Sequence, residues 1–246
     1  MNKLLSTLLA LIVASATGFA LAQAAAPSSA PAAKPTAEVP GKQSAPAGPA
    51  SLQAKIAMCL GCHNIIGYQA SFPEVHKVPK IAGQGAGYIE AALNAYKTGE
   101  RKHPTMRGIA DALSDQDIKD IAGYYSKLGL EGGSKLGDKP DHEPNAQVAA
   151  LLQKAACVSC HGANFARPIA PNYPKIAGQH SDYLFVALKA YKTDNNAAVG
   201  RGNAIMGGIA KQFSNAELKA IAQYVGSLDG DVKTVPESRF HSQRAD

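Results

Sequence analysis

The sequence predicts an all-α protein built from two tandem copies of one small domain. Three observations lead to this prediction. A six-residue block at positions 79–84 recurs at 174–179, several segments carry apolar residues at helical spacing, and each copy begins with the pattern Cys-x-x-Cys-His. No strand pattern of comparable length accompanies them. We therefore expect two helical domains of similar architecture.

The internal repeat covers most of the chain after residue 50. Its clearest unit is Pro-Lys-Ile-Ala-Gly-Gln, followed in both copies by the block Met-x-Gly-Ile-Ala at 106–110 and 206–210. The offset between copies is 98 at the cysteines, 95 through the first block and 100 from the methionine onward. The differences in length therefore lie in two loops.

Three helices are predicted in each copy. The first runs from Ser51 to Cys62, with Asn145 to Cys160 as its counterpart, and the second covers about 85–98 and 181–193. The last helix follows a capping box, Ser-x-x-Asp at 114–117 and Ser-x-x-Glu at 214–217. Apolar residues then recur on one face of this last helix in both copies: Ile118, Ile121, Ala122, Tyr125 and Leu128, and Leu218, Ile221, Ala222, Val225 and Leu228.

The two Cys-x-x-Cys-His motifs use all four cysteines and predict covalent attachment of two haem c groups. Cysteines at i and i+3 of a helix face the same way, so both thiols can form thioethers with the vinyl groups of one haem. The histidine that follows then presents its imidazole to the iron. The residues concerned are Cys59, Cys62 and His63 in the first copy, and Cys157, Cys160 and His161 in the second.

Other sites with cysteines and histidines fit the spacing less well. A structural zinc site would need ligand pairs from two separate repeats. A thioredoxin-like motif should open a βαβ unit, and this pattern is lacking here. A disulfide pair is the third alternative, although haem attachment would consume all the thiols.

Methionine is the sixth ligand expected for a haem that carries electrons. Met1 is the initiator and Met58 adjoins Cys59, where its side chain is not placed to reach the opposite haem face. Met106 and Met206 remain as the predicted ligands, because each lies in the repeated block. His103 is the one rival, but its counterpart in the second copy is Asn203.

The beginning of the chain predicts export. The apolar run after Lys3 resembles a secretory signal with small-residue cleavage options near residue 22. It is almost long enough to span a bilayer, so an uncleaved anchor is the alternative. We expect a signal or anchor at 1–22, an Ala/Pro-rich disordered arm at 23–50, domains at 51–140 and 141–235, and a tail at 236–246. This places the protein in the periplasm, in free or membrane-associated form.

The net charge of +6 is spread evenly along the chain, and four haem propionates would offset much of it. No basic stripe with interleaved aromatic residues is present, so the sequence argues against nucleic acid as a partner. Small and rapidly exchanging contacts with redox proteins, through the exposed haem edge, suit this composition better.

Together the two haem motifs, the two Pro-Lys-Ile-Ala-Gly-Gln blocks, the two methionines and the capped last helices resemble the dihaem cytochrome c4 family, over about residues 51–230. The resemblance implies two tandem class I cytochrome c domains, each wrapped around a covalently bound haem. It further implies that the carbonyls of Pro79 and Pro174 accept a hydrogen bond from the ligating histidine. One departure is that Asn64-Ile-Ile follows His63, whereas Gly162 follows His161.

By this resemblance the protein would not be an enzyme. It would carry single electrons from a quinol-oxidising complex or a dehydrogenase toward a terminal oxidase. Two alternatives remain open: a fixed cytochrome subunit of a larger dehydrogenase, which would contain the same domains, and a dihaem peroxidase, which would need an open iron site.

Overall fold

The computed structural model describes residues 51–237. The predicted signal at 1–22, the predicted arm at 23–50 and the tail from 238 onward lie outside the described residues. Both repeats belong to one compact unit. Within residues 51–237, no helix is long and apolar enough to cross a membrane.

Each repeat is mainly helical, as predicted. The first contains α1 (Leu52–His63), β1 (Gln69–Ala70), β2 (His76–Lys77), α2 (Ala86–Thr98), β3 (Arg101–Lys102), α3 (Pro104–Asp111) and α4 (Asp115–Lys127). The second contains α5 (Ala146–Ala155), α6 (Val158–His161), α7 (Ser181–Lys192), β4 (Gly200–Arg201), α8 (Ala204–Ala210) and α9 (Asn215–Ser227). The described strands have two residues each.

The two predicted capping boxes are present at the start of α4 and α9. Asp117 N–H donates to Ser114 Oγ (3.1 Å), and Ser114 N–H donates to Asp117 Oδ2 (3.0 Å). Ser214 and Glu217 make the same reciprocal pair, at 3.3 and 2.7 Å. These bonds satisfy N–H groups that have no partner within the helix.

The apolar faces of the last helices form the core of each repeat, which confirms their predicted orientation. In the first repeat, α4 packs its face against α1 and α2, and Tyr125 is fully buried. In the second repeat, α9 packs against α5 and α7, with Leu218 and Val225 buried. The first haem motif thus ends a helix that is anchored in the core of its repeat, and the second motif directly follows such a helix, α5.

The prediction of one helix from Asn145 to Cys160 is wrong, because the helix is interrupted at Ala156. This residue adopts left-handed backbone angles (φ 50°, ψ 36°). Its N–H donates to Gln153 O and the next N–H, of Cys157, donates to Leu152 O. This pair of bonds is a Schellman motif, whose left-handed position is usually a glycine. Because Ala156 occupies that position here, the sequence did not predict the end of the helix.

The methionine blocks form helices α3 and α8, which the sequence pattern did not predict. Each begins at a residue whose side chain accepts the methionine N–H: His103 Nδ1 from Met106 (3.3 Å) and Asn203 Oδ1 from Met206 (2.9 Å). The rival ligand His103 therefore has the same capping role as its counterpart Asn203.

The segments that follow α4 and α9 are exchanged between the repeats. After α4 the segment 128–145 reaches the second repeat, where Gly137 O accepts from Asn164 Nδ2 (2.7 Å). After α9 the chain returns to the first repeat, where Val235 O accepts from Asn64 Nδ2 (2.5 Å) and Lys233 N–H donates to Ala82 O (2.9 Å). Each repeat is thus contacted by a segment that follows the last helix of the other repeat. We call these segments straps: 128–145 contacts the second repeat, and 228–237 contacts the first.

Candidate haem sites

The two cysteine–histidine motifs lie at corresponding positions of their repeats. In the first, Cys59, Cys62 and His63 occupy the last turns of α1. In the second, Cys157 is the N-cap of the short helix α6, which carries Cys160 and His161. Both geometries place the two cysteines about one helical turn apart.

Burial keeps the first thiol of each motif neutral. It raises the pKa of Cys59 and of Cys157 to about 11. All four cysteines are free, so the disulfide alternative is not realised in the structure. Among residues 51–237, no group of three or more His, Cys, Asp or Glu side chains is arranged to hold a metal ion.

Each motif histidine is oriented by a proline carbonyl. His63 Nδ1 lies 2.8 Å from Pro79 O, and His161 Nδ1 lies 2.9 Å from Pro174 O. Because a carbonyl oxygen only accepts, Nδ1 must carry the proton and donate it, which leaves the lone pair on Nε2. Burial lowers the pKa of both imidazoles, against the opposing effect of the carbonyl. The two rings are therefore held as neutral imidazoles with Nε2 available to a metal.

One continuous cavity of about 810 Å³ contacts both motifs. It crosses from the first repeat to the second, and Ile89, Leu93 and Leu184 contribute to its apolar wall. Every site residue predicted from the sequence lines it: Cys59, Cys62, His63, Pro79, Met106, Cys157, Cys160, His161, Pro174 and Met206. Residues from four helices and two loops thus line one cavity.

Where the repeats meet, two arginines also face this cavity. Arg101 on β3 pairs with Arg201 on β4 in a two-stranded antiparallel sheet. Both guanidiniums donate to the hydroxyl of Tyr183, at 3.2 and 3.0 Å. Burial alone would raise the pKa of Tyr183, but the charges of Arg201 and Arg101 lower it to about 8. The Arg101 guanidinium lies 4.8 Å from the Tyr96 ring centroid, and that of Arg201 lies 5.4 Å from the Tyr191 centroid.

These arginines fit the carboxylates of a haem. Arg101 is only 9% exposed, and its Nε is buried without a hydrogen-bond partner in the described part of the chain. No Asp or Glu is among the described residues that line the cavity. A buried cation beside a second, half-buried one would be costly without an anion, so the cavity is suited to a ligand that brings negative charge. Haem propionates are such groups, and the apolar walls suit the macrocycle.

Sequence reasoning missed the arginine pair, although a signal was present. Arg101 and Arg201 are 100 residues apart, the same offset as the two methionines.

Comparison with known proteins supports this interpretation. A family model for cytochrome c matches residues 146–229. Cytochrome c4 from Stutzerimonas stutzeri is 32% identical, over 72% of this chain and 87% of its own length. A thiosulfate dehydrogenase electron acceptor from Thiomonas intermedia is 28% identical, over 75% of this chain and 84% of its own length.

A solved structure has the same fold. The crystal structure of reduced recombinant cytochrome c4 from Pseudomonas stutzeri is 28% identical, with a TM-score of 0.51, and the match covers 72% of this chain and 97% of that chain. The predicted class I cytochrome c fold is confirmed by this likeness, and so are the two haem c groups attached through the cysteine pairs. The chain is an electron-transfer protein rather than an enzyme, and it belongs to the cytochrome c4 family.

Proposed function

We propose that this protein is a periplasmic carrier of single electrons in which His63 and Met106 bind one haem iron, and His161 and Met206 the other. The observation that supports this proposal is that both ligand pairs line one cavity with their thioether cysteines. The hydrogen bonds from His63 and His161 to proline carbonyls add support, because they leave Nε2 free in both motifs.

When bound, haem c would supply a one-electron couple of iron, and ligation by methionine would raise its reduction potential. The chain holds each imidazole in one tautomer and orientation through Pro79 and Pro174. The apolar walls exclude water, while Arg101 and Arg201 offset the propionate charge at the contact between the repeats. Because one cavity runs past both motifs, electron exchange between the two sites needs no movement of the domains.

Exposed apolar side chains next to both motifs support docking at the haem edge. Met58 and Ile66 are 66% and 75% exposed on the first repeat, and Val158 and Ile169 are 48% and 69% exposed on the second. Met58 and Val158 are sequence neighbours of attachment cysteines. Small apolar surfaces of this kind suit brief contacts with a quinol-oxidising complex as donor and a terminal oxidase as acceptor.

The ligand assignment is tested by replacing one methionine at a time. Met106→Ala should lower the potential of the first haem alone and open its iron to added imidazole. Met206→Ala is the matched control and should do the same at the second haem only. Spectroelectrochemical titration of the purified holoprotein measures both potentials, and an unchanged low-spin spectrum in either variant would disprove that ligand.

A second candidate function is that of the electron-accepting partner of a dehydrogenase. It is favoured by the relative from Thiomonas intermedia, which is described as the electron acceptor of thiosulfate dehydrogenase. Gel filtration after mild extraction of the native host separates the two cases. A dehydrogenase subunit that stays bound in stoichiometric amount supports the fixed complex, whereas a free dihaem protein supports the mobile carrier.

The cellular location needs a separate test. Fractionation of the host should place the haem-stained protein in the periplasmic fraction, or in the membrane fraction if the predicted signal is retained as an anchor. Recovery from the cytoplasm would contradict the proposal.

A further inference from the structure

Two buried glutamines cross the contact between the repeats in a reciprocal way. Gln179 Nε2 donates to Lys80 O (2.8 Å), and Lys80 N–H donates to Gln179 Oε1 (2.9 Å). Gln84 makes the same two bonds with Lys175, both at 2.9 Å. Each glutamine is 4% exposed. Each carboxamide therefore pairs with the backbone of the other repeat as a neighbouring strand would.

The peptide groups that receive these bonds also hold the motif histidines. Lys80 N–H and Pro79 C=O belong to one peptide unit: its N–H donates to Gln179, and its oxygen accepts from His63 Nδ1 at 2.8 Å. Lys175 N–H and Pro174 C=O form the equivalent unit, which connects Gln84 to His161. Hydrogen bonds connected through one polar group polarise each other.

We propose that Gln179 and Gln84 are positioning residues that act across the repeats, so that each adjusts the reduction potential of the haem in the other repeat. The inference rests on the axial ligation by His63 and His161 proposed above. The bond to Gln179 makes the Pro79 oxygen a stronger acceptor, which draws the proton of His63 Nδ1 and makes Nε2 more electron-rich. A more basic imidazole stabilises Fe(III) relative to Fe(II) and lowers the potential.

The test is a crossed pair of variants of the holoprotein, Gln179→Leu and Gln84→Leu. Leucine removes both hydrogen bonds to the other repeat, and with them the bond that each Oε1 accepts from the next N–H of its own repeat, His180 or Gly85. It offers the iron no new ligand. Gln179→Leu should raise the potential of the first haem and leave the second unchanged, and Gln84→Leu should raise that of the second alone. The β3–β4 pairing and the bond from Lys80 Nζ to Gly178 O (2.6 Å) remain to hold the repeats together.

A second measurement separates this role from a merely structural one. If the substitutions only loosened the contact, water would enter the shared cavity and both potentials would shift in both variants. In proton NMR of the reduced protein, Gln179→Leu should move the Nδ1–H resonance of His63 upfield and leave that of His161 in place. The assignment of these two protons also identifies which haem is which.

A potential shift confined to the haem of the opposite repeat supports the proposal in either variant. If one variant fails to fold, the other still provides the test. Equal shifts at both haems, or a shift confined to the haem of the altered repeat, would overturn it. Failure of the axial ligation would appear separately, as wild-type spectra that lack a histidine–methionine signature.

Discussion

Replacing Tyr125 with phenylalanine should destabilise the first repeat by removing a single buried hydrogen-bond donor. Tyr125 is fully buried, and its hydroxyl donates to Asn64 Oδ1 at 2.9 Å. Asn64, itself 5% exposed, in turn donates to Val235 in the strap that returns from α9. Tyr125→Phe therefore weakens the contact that orients the asparagine toward this strap.

The magnitude follows from what the substitution leaves behind. The phenyl ring stays in place, so no cavity is created and no apolar contact is lost. The Asn64 oxygen remains buried without a donor, which costs about 1–3 kcal/mol of the free energy of unfolding. For a protein of this size, each kcal/mol corresponds to about 2–4 °C in Tm, so the expected fall is about 2–12 °C.

Thermal melts of the holoprotein by far-ultraviolet circular dichroism measure this fall. Tyr68→Phe is the control, because Tyr68 is 43% exposed. Its unfolding free energy should change by less than about 0.5 kcal/mol. If Tyr125→Phe melts at or above the wild-type temperature, the reasoning from the buried hydrogen bond is wrong.

Two further predictions concern the capping box of α4 and the close contact between Gly83 and the strap that follows α9. Hydrogen bonds from Ser114 and Lys55 lower the pKa of Asp117 to about 2. The ionised carboxylate should therefore contribute fully to the free energy of unfolding above its unfolded-state pKa of about 3.9. This contribution should be lost as the pH falls through about 2. Asp117→Asn should remove this loss, as measured by denaturant midpoints across that range; an equal loss in the variant would contradict the assignment. A Cβ on Gly83, at φ +78°, would lie 2.3 Å from Asp231 O, whereas one on Gly133, at φ +73°, would meet nothing within 4 Å. Both alanine variants should lose about 1–2 kcal/mol of stability because the backbone is left-handed at these positions. Gly83→Ala should lose about 1–3 kcal/mol more from overpacking. Equal denaturant midpoints for the two variants would contradict a close contact between Gly83 and the strap.

Much of each haem site follows from local sequence. Cysteine spacing, helical periodicity and capping residues depend on neighbours within one or two turns, and the structure reproduces the capping boxes at Ser114 and Ser214. The repeat then predicted Met106 and Met206 as ligands, because both copies carry the same block. The break at Ala156 was missed because a left-handed alanine has no distinctive signature in the sequence.

The sequence alone determined the fold class, the two attachment motifs, the last helix of each repeat with its capping box and the residues expected to bind iron. Only the tertiary structure decided how the two repeats meet. It pairs Arg101 with Arg201, and it seats Gln84 and Gln179 on the backbone of the opposite repeat. These contacts join residues about one repeat apart, and each copy by itself would expose the same polar groups to water. Their partners exist only when both surfaces are buried together, so no spacing within either copy could predict them.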